Sequence, residues 1–382
     1  MVIDCGAGLT KALFPDIAPL GSGIHVTGYE FLQNMSQHLR RELFGPEEQY
    51  EATREWIDEF ISQFDSSLTK DTSEVSHEVL PPPYVNHPDE DLQGFMFLLT
   101  LGAQFLHNTL SPQLMMPDSP ASKFLRFLNQ LNNSSDTNLT SLITTNYDQV
   151  LDILLFDEIN PQPSDDQQWR RWKPRYRYGD LIYEEYLEHG IKLDSKDKPQ
   201  EVSLEGSDIR KYTPLIKLNG SVNWLWEDGG DDQVILPLGQ EVLFKALCDE
   251  DKSYHNHFLP PLPTDIDQCR LEGIISNLPY EYDAQLSNAS GRLEEAEVVL
   301  FIGHSLTDGA DRKWLQELQS NWESGSQKFI FVIKDKEGEE EQRLRSLFPE
   351  RRNGQEHIIY DEGLVSFIDN LAEQWPINHV AK

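Results

Sequence analysis

The sequence predicts an α/β protein, a Rossmann-like parallel sheet with large helical insertions. Two observations carry this. Short apolar runs, such as VIDC (2–5), SLIT (141–144) and the VVLFI of residues 298–302, are wholly or nearly apolar in the way of strands buried on both faces. Most of these runs end in small polar residues or glycine and lead into a stretch with helical spacing, the strand–turn–helix alternation of α/β proteins. The runs also lie far apart in the chain, so the sheet must be gathered from distant segments.

In chain order the expected strands are 2–5, 141–144, 215–218 (LIKL), 297–302, 328–333 (KFIFVI) and 357–360 (HIIY). A helix is expected over 311–322 and another over about 364–374. About 135 residues separate the first two strands, and four segments there (29–43, 50–64, 91–109 and 122–132) carry apolar residues at helical spacing. Residues 66–88, with PPP at 81–83, read as a loop between two of them. The 1–382 chain is therefore expected to be one composite domain. Its Rossmann-like core draws on about 1–20, 140–156, 213–226 and 296–375, and its helical module on about 28–135. Further insertions, rich in charge, proline and turn residues, span about 157–212 and 227–295. No internal repeat is evident.

Composition narrows the classes of function. Hydrophobic residues make up 38% of the chain, enough for a sizeable core. The net charge of -33, from 65 acidic and 32 basic residues, repels phosphate backbones and argues against nucleic-acid binding by the chain as a whole. Cys5, Cys248 and Cys269 form no CxxC pair, so neither a zinc ribbon nor a disulfide framework is available and no metal is expected. No apolar run approaches ~20 residues and the N-terminus reads as a strand, so a cytoplasmic protein without a membrane segment is expected.

Four strand ends carry polar or glycine-rich turns. In VIDCGAGLT (2–10) a strand ends in Gly6, Ala7 and Gly8, followed by Thr10 and a helix-compatible segment, a form that lets backbone approach a diphosphate. A full GxGxxG is absent, and a tight strand-to-helix turn is the alternative. In TTNYD (144–148), Asn146 can meet sugar hydroxyls with both donor and acceptor, with Thr145 beside it; Asp148 can orient a neighbour, or both Asn146 and Asp148 can simply cap the next helix. In KLNGS (217–221), Asn219 stands at the strand end. In IGHSLTDGAD (302–311), Gly303 ends a strand, Ser305 can bind a ribose or phosphate oxygen, and Asp308 and Asp311 flank a turn as possible caps. Four such ends on one edge of a parallel sheet describe a nucleotide crevice better than four unrelated caps.

Together, GAGLT, TTNYD, KLNGSVNW and IGHSLTDGAD, in this order, resemble the sirtuin-like NADase family, in its zinc-less bacterial branch found in anti-phage defence. The resemblance implies cleavage of the nicotinamide–ribose bond of NAD+, here a substrate. Gly6, Ala7, Gly8 and Thr10 would then meet the diphosphate, Asn146 the nicotinamide ribose with Asp148 nearby, and Gly303 and Ser305 the NAD. Control through a homo-oligomer or a partner protein such as an ATPase follows by analogy. The chain departs from the family where KLHGS is usual: Asn219 replaces the histidine that acts as base, and an amide cannot accept a proton near neutral pH. Three explanations follow. An oxocarbenium-like state needs no strong base and a weakened NADase survives; another group, with His304, Asp148 and His25 as candidates, takes the role; or the chain is a catalytically silent subunit that binds NAD or ADP-ribose and assembles with a partner ATPase or nuclease.

Three features stand apart. WRRWKPRYRYGD (169–180) is a basic–aromatic cluster in an acidic chain, able to stack single-stranded nucleic acid or, more simply, to pair with surplus carboxylates. His255 and His257 alternate on an apparent strand without a supporting acidic ligand. KEGEEE (336–341) suits a solvated loop and the first turn of a helix.

Overall fold

The computed structural model describes residues 1–6, 8–13, 118–133, 139–148, 150–156, 171–176, 179–180, 191–194, 212–227, 232–235, 254–259, 266, 268–276, 282–304, 306, 309–335, 338–351 and 357–371. Of the expected helical module only its last helix, α2 (Pro120–Asn133), falls among them; residues 29–43, 50–64, 66–88 and 91–109 lie outside.

The main sheet contains β1 (Val2–Cys5), β2 (Ser141–Thr144), β3 (Arg171–Tyr176), β4 (Gly179–Asp180), β6 (Tyr212–Lys217), β10 (Val298–Ile302), β11 (Lys328–Val332) and β12 (Ile358–Tyr360). Its order is β12-β11-β10-β1-β2-β6-β3-β4. Every neighbouring pair is parallel except β3 with β4. Val2 lies opposite Val299 and Ser141, and Cys5 opposite Ile302 and Thr144, so β1, β2 and β10 end level with one another. Taking β1, β2, β6, β10, β11 and β12 as strands one to six, the order is 3-2-1-4-5-6, that of a dinucleotide-type doubly wound sheet. The strand order reverses between β1 and β10, which is where such folds hold ligands. The α/β, Rossmann-like expectation is correct, and all six expected strands are present.

Helices cover both faces because each buried strand presents alternate residues to opposite sides. Ile3, Leu142, Leu215, Leu300 and Ile330 point to the side of α1 (Gly8–Leu13), α2, α3 (Val150–Phe156) and α8 (Leu364–Leu371), which pack on one another. Phe127 of α2 meets Phe367 of α8 edge to face, 5.9 Å between ring centres. On the opposite side are α5 (Tyr282–Glu294) and α6 (Arg312–Ser324), in mutual contact. There Phe301 stacks on Phe331 at 4.5 Å, Trp322 of α6 lies 5.1 Å from Phe329, and Phe348, just past α7 (Glu339–Leu347), lies 5.4 Å from Phe331. Glu339, Glu340 and Glu341 form the first turn of α7, as the KEGEEE run suggested. α4 (Gln268–Ser276) precedes α5.

The described parts of the insertions include strands that their composition did not suggest. β3 and β4, from the 157–212 stretch, extend the main sheet, and β3 comes from the basic–aromatic cluster. Arg171, Lys173 and Arg175 alternate along it, opposite Tyr212, Pro214 and Ile216 of β6. A second sheet, wholly antiparallel, has the order β5-β8-β7-β9, from β5 (Ile191–Asp194), β7 (Gly220–Glu227), β8 (Asp232–Ile235) and β9 (Tyr254–Phe258). β9 carries His255 and His257. Among the described residues no group of three metal-ligating side chains gathers, and no helix is long and apolar enough to cross a membrane.

A candidate site at the strand ends

The ends of β1 and β10 touch through glycine. The Gly6 N–H donates to the Ile302 carbonyl at 3.0 Å and the Gly8 N–H to the Gly303 carbonyl at 2.7 Å. Gly303 has φ +60, and a Cβ on it would lie 2.3 Å from Gly8 C and Leu9 N; one on Gly6 would lie 2.5 Å from the His304 Cα. Two strand ends therefore meet backbone to backbone, which no side chain would permit. The Leu9 N–H donates to the Gly6 carbonyl at 3.0 Å. Three of the N–H groups in this turn are thus already spent inside the protein. The visible task of the glycines is to bring β1 and β10 together at the switch point.

The NYD loop lies against this turn. The Asn146 backbone N–H is held by the Thr144 hydroxyl at 3.0 Å, and its side-chain amide donates weakly to the Gly6 carbonyl (3.3 Å) and the Thr10 hydroxyl (3.5 Å). Asn146 is 4% exposed, and its Oδ1 has no hydrogen-bond donor among the described residues. Asp148 spends both oxygens on the fold: Oδ1 accepts the Val150 N–H at 2.9 Å, capping α3, and Oδ2 accepts the Thr10 hydroxyl at 3.0 Å. Desolvation lifts the Asp148 carboxyl above its usual range, against the nearby Lys217 charge. Asp148 is placed as a cap and a support for Thr10.

Beneath the loop is a buried ion pair. Lys217, 1% exposed, donates to Asp152 Oδ2 at 2.7 Å, to the Asp148 carbonyl at 2.6 Å and to the Ser221 hydroxyl at 2.7 Å, so its three protons are all used. The Ser221 hydroxyl in turn donates to the Tyr147 carbonyl at 3.4 Å. Within KLNGS, Lys217 and Ser221 thus hold the NYD loop in place.

Asn219 sits in the turn between β6 and β7. Its carbonyl accepts the Leu259 N–H at 2.7 Å, and Phe258 stacks on Tyr147 at 4.8 Å, so the second sheet pins this turn to the NYD loop. The Asn219 side-chain amide donates to the Thr145 carbonyl at 2.9 Å. Its Oδ1, like that of Asn146, is buried without a donor among the described residues.

Asp311 completes the group. As the residue before α6 it occupies the cap position, yet its carboxylate makes no capping bond. It lies instead beside Thr145 and Asn219 and 4.0 Å from His304 Nδ1, while His304 Nε2 lies 3.6 Å from Asp4 Oδ1. Asp4 Oδ2 accepts the Trp314 indole N–H at 2.8 Å. Desolvation raises Asp311 to about 7, opposed by the neighbouring Thr145 and Asn219 side chains. Desolvation raises Asp4 to about 8, opposed by Trp314 and reinforced by Asp311.

Of the residues singled out from sequence, Gly6, Gly8, Thr10, Thr145, Asn146, Asp148, Asn219 and Gly303 converge here. Ala7, Ser305, Asp308 and His25 lie outside the described residues. Asp311 and Asp4 join the cluster. In sequence Asp311 is a possible cap, a role its carboxylate does not fill. Asp4 sits mid-strand in an apolar run, and that misplaced charge was the signal that could have identified it.

The fold and this strand-end cluster define a doubly wound α/β protein with a polar site at its topological switch point. Comparison with protein-family models and with curated proteins returns no match to this chain.

Proposed function

We propose that the chain is an NAD+ glycohydrolase that cleaves the nicotinamide–ribose bond. The observation that carries this is the pair of buried amide oxygens, on Asn146 and Asn219, left without donors at the switch point. A buried unsatisfied acceptor costs about 1–3 kcal/mol, so a site that keeps two is built for a ligand that supplies donors. A ribose diol has two hydroxyl donors side by side. The switch point of a 3-2-1-4-5-6 sheet is where dinucleotides lie, and the four motifs that resemble sirtuin-like NADases all meet there. Nicotinamide leaves NAD+ as a neutral molecule, so the site must chiefly hold the ribose still while positive charge develops on it. Asn146 is assigned that role. By analogy alone, the activity belongs to prokaryotic defence, restrained by self-assembly or by a partner such as an ATPase.

The test is nicotinamide release from NAD+ by the purified protein and by Asn146→Ala. Release by the unmodified chain, lost in the variant, is expected. A second reading is favoured by Asn219, which cannot take a proton: a silent NAD-binding subunit. It predicts NAD binding by calorimetry with no nicotinamide released.

A further inference from the structure

The site has no histidine at position 219, yet it does contain a group able to accept a proton. Asp311 makes no capping bond to the helix it precedes and lies instead beside Thr145 and Asn219. A carboxylate at a helix N-terminus ordinarily satisfies a backbone N–H there. This one gives up that bond for a buried position, 7% exposed, at the strand ends. Behind it, His304 stands between Asp311 and Asp4, and Asp4 is fixed by Trp314. The sequence Asp4–His304–Asp311 therefore runs from mid-strand β1, across the exit of β10, to the side chain of Asn219. Such an ordered line of proton-bearing groups has no packing purpose that apolar residues would not serve better.

We propose that Asp311 is the proton acceptor of the reaction, standing in for the base missing at Asn219, with His304 and Asp4 as the positioning residues behind it. The assignment rests on the NADase reading above. In the step, the bond between the ribose anomeric carbon and the nicotinamide nitrogen breaks, and its electron pair leaves with nicotinamide, neutralising the pyridinium. A water oxygen bonds to the same carbon, and that water's proton passes to the Asp311 carboxylate. The products are nicotinamide, ADP-ribose and one proton, which Asp311 releases to solvent before the next turnover. No oxidant or further reactant is needed.

Among the described residues, the groups facing Asp311 are His304 from the exit of β10, Asp4 from β1, Tyr282 from α5, and the neutral Thr145 and Asn219. The adjoining Arg312 directs its guanidinium to the Gln268 side chain and the Ile266 carbonyl. Burial holds the Asp311 proton up to about 7, with Thr145 and Asn219 opposing it, so the active, ionised form grows as pH rises.

The experiment measures NAD+ turnover from pH 5.5 to 8.5, and NAD binding, for the unmodified chain, Asp311→Asn, Asp311→Ala with added formate, and Asp311→Asn combined with Asn219→His. Turnover by the unmodified chain should climb with pH through one ionisation near neutrality. Asp311→Asn should keep NAD binding, lose about 10²–10⁴-fold in kcat and lose the climb. Formate should restore part of the activity of Asp311→Ala, and Asn219→His should restore that of Asp311→Asn. A merely structural carboxylate would give neither rescue. If the unmodified chain turns NAD over with a flat pH profile, or Asp311→Asn matches it, Asp311 is not the acceptor and the NADase reading stands. If the unmodified chain binds NAD but never cleaves it, the acceptor role fails and the silent-subunit reading gains. If it neither binds nor cleaves NAD, the NADase reading fails first. The pH profile of the unmodified chain decides even where a variant does not fold.

Discussion

Asn146 and Gly303 sit a few residues apart in space and represent opposite demands on a site residue. Asn146 gives the fold little: two long, weak hydrogen bonds, against an amide oxygen left unpaired. Replacing it by Ala should change stability by no more than about 1 kcal/mol, since the lost bonds and the removed unsatisfied acceptor offset each other. Nicotinamide release should nonetheless fall by orders of magnitude. A denaturation curve measured beside the activity assay checks both halves; a large loss of stability would make Asn146 a structural residue. Gly303 is required by the fold through its backbone alone. A Cβ there would sit 2.3 Å from backbone atoms of the neighbouring turn, on a left-handed φ of +60. Gly303→Ala should therefore cost several kcal/mol, at the upper end of about 1–3 for strain alone plus the displacement of β1 from β10. Its urea midpoint should drop well below that of Asn146→Ala.

At the level of elements, the structure explains why KLNGS and TTNYD occur together. Lys217 on β6 reaches α3 and the loop before it, so one side chain sets the separation of two strand ends. Lys217→Met should leave Asp152 buried and unpaired and cost about 3–5 kcal/mol. Lys217→Met with Asp152→Leu should recover most of that, because no charge is then stranded; equilibrium unfolding of the three proteins gives the comparison, and a double variant no better than the single one would show that the pair's geometry matters more than its charge. The strands were legible in sequence because burial on both faces makes them wholly apolar, and their ends because small polar residues and glycine break those runs. The helices α2 and α6 announced themselves by apolar spacing, each to within a few residues. What sequence could not supply was partnership over distance. Lys217 reads as a lone charge in LIKL until Asp152 is seen beside it, and Asp311 reads as a cap until its carboxylate is seen to leave the helix. Most of the antiparallel sheet that pins Asn219 was illegible for a different reason: β5 and β8 are only four residues each, and their strand character comes from pairing, β5 with β8 and β8 with β7, rather than from their own periodicity.

Across the whole molecule, the excess of acid extends into the core, and this fixes how stability responds to pH. Asp4, Asp148 and Asp311 all hold their protons more tightly when folded than an exposed aspartate does, chiefly because burial disfavours the charged form. Between the ordinary carboxyl range and the raised folded values, the native chain binds more protons than the unfolded one. The sign follows: this contribution is complete below the unfolded pKa and is lost as pH climbs through the folded values, about 8 for Asp4. Each such carboxyl removes up to about 1.4 kcal/mol per pH unit across that window. Surface repulsion at a net charge of -33 also destabilises, and it grows as the 11 histidines lose charge, but added salt screens it over about 8–10 Å. Burial protects the core carboxyls from that screening. The melting temperature should therefore fall between pH 6 and pH 8.5, salt should recover only part of the fall, and Asp4→Asn should shrink what remains, since an amide oxygen can still accept the Trp314 N–H without ever having to ionise. Thermal melts at both pH values, in about 0.05 and 0.5 M salt, separate the contributions. If salt alone abolishes the fall, the acidic surface sets the response; if Asp4→Asn leaves the salt-resistant part unchanged, the buried line from Asp4 to Asp311 is not what the folded state protects.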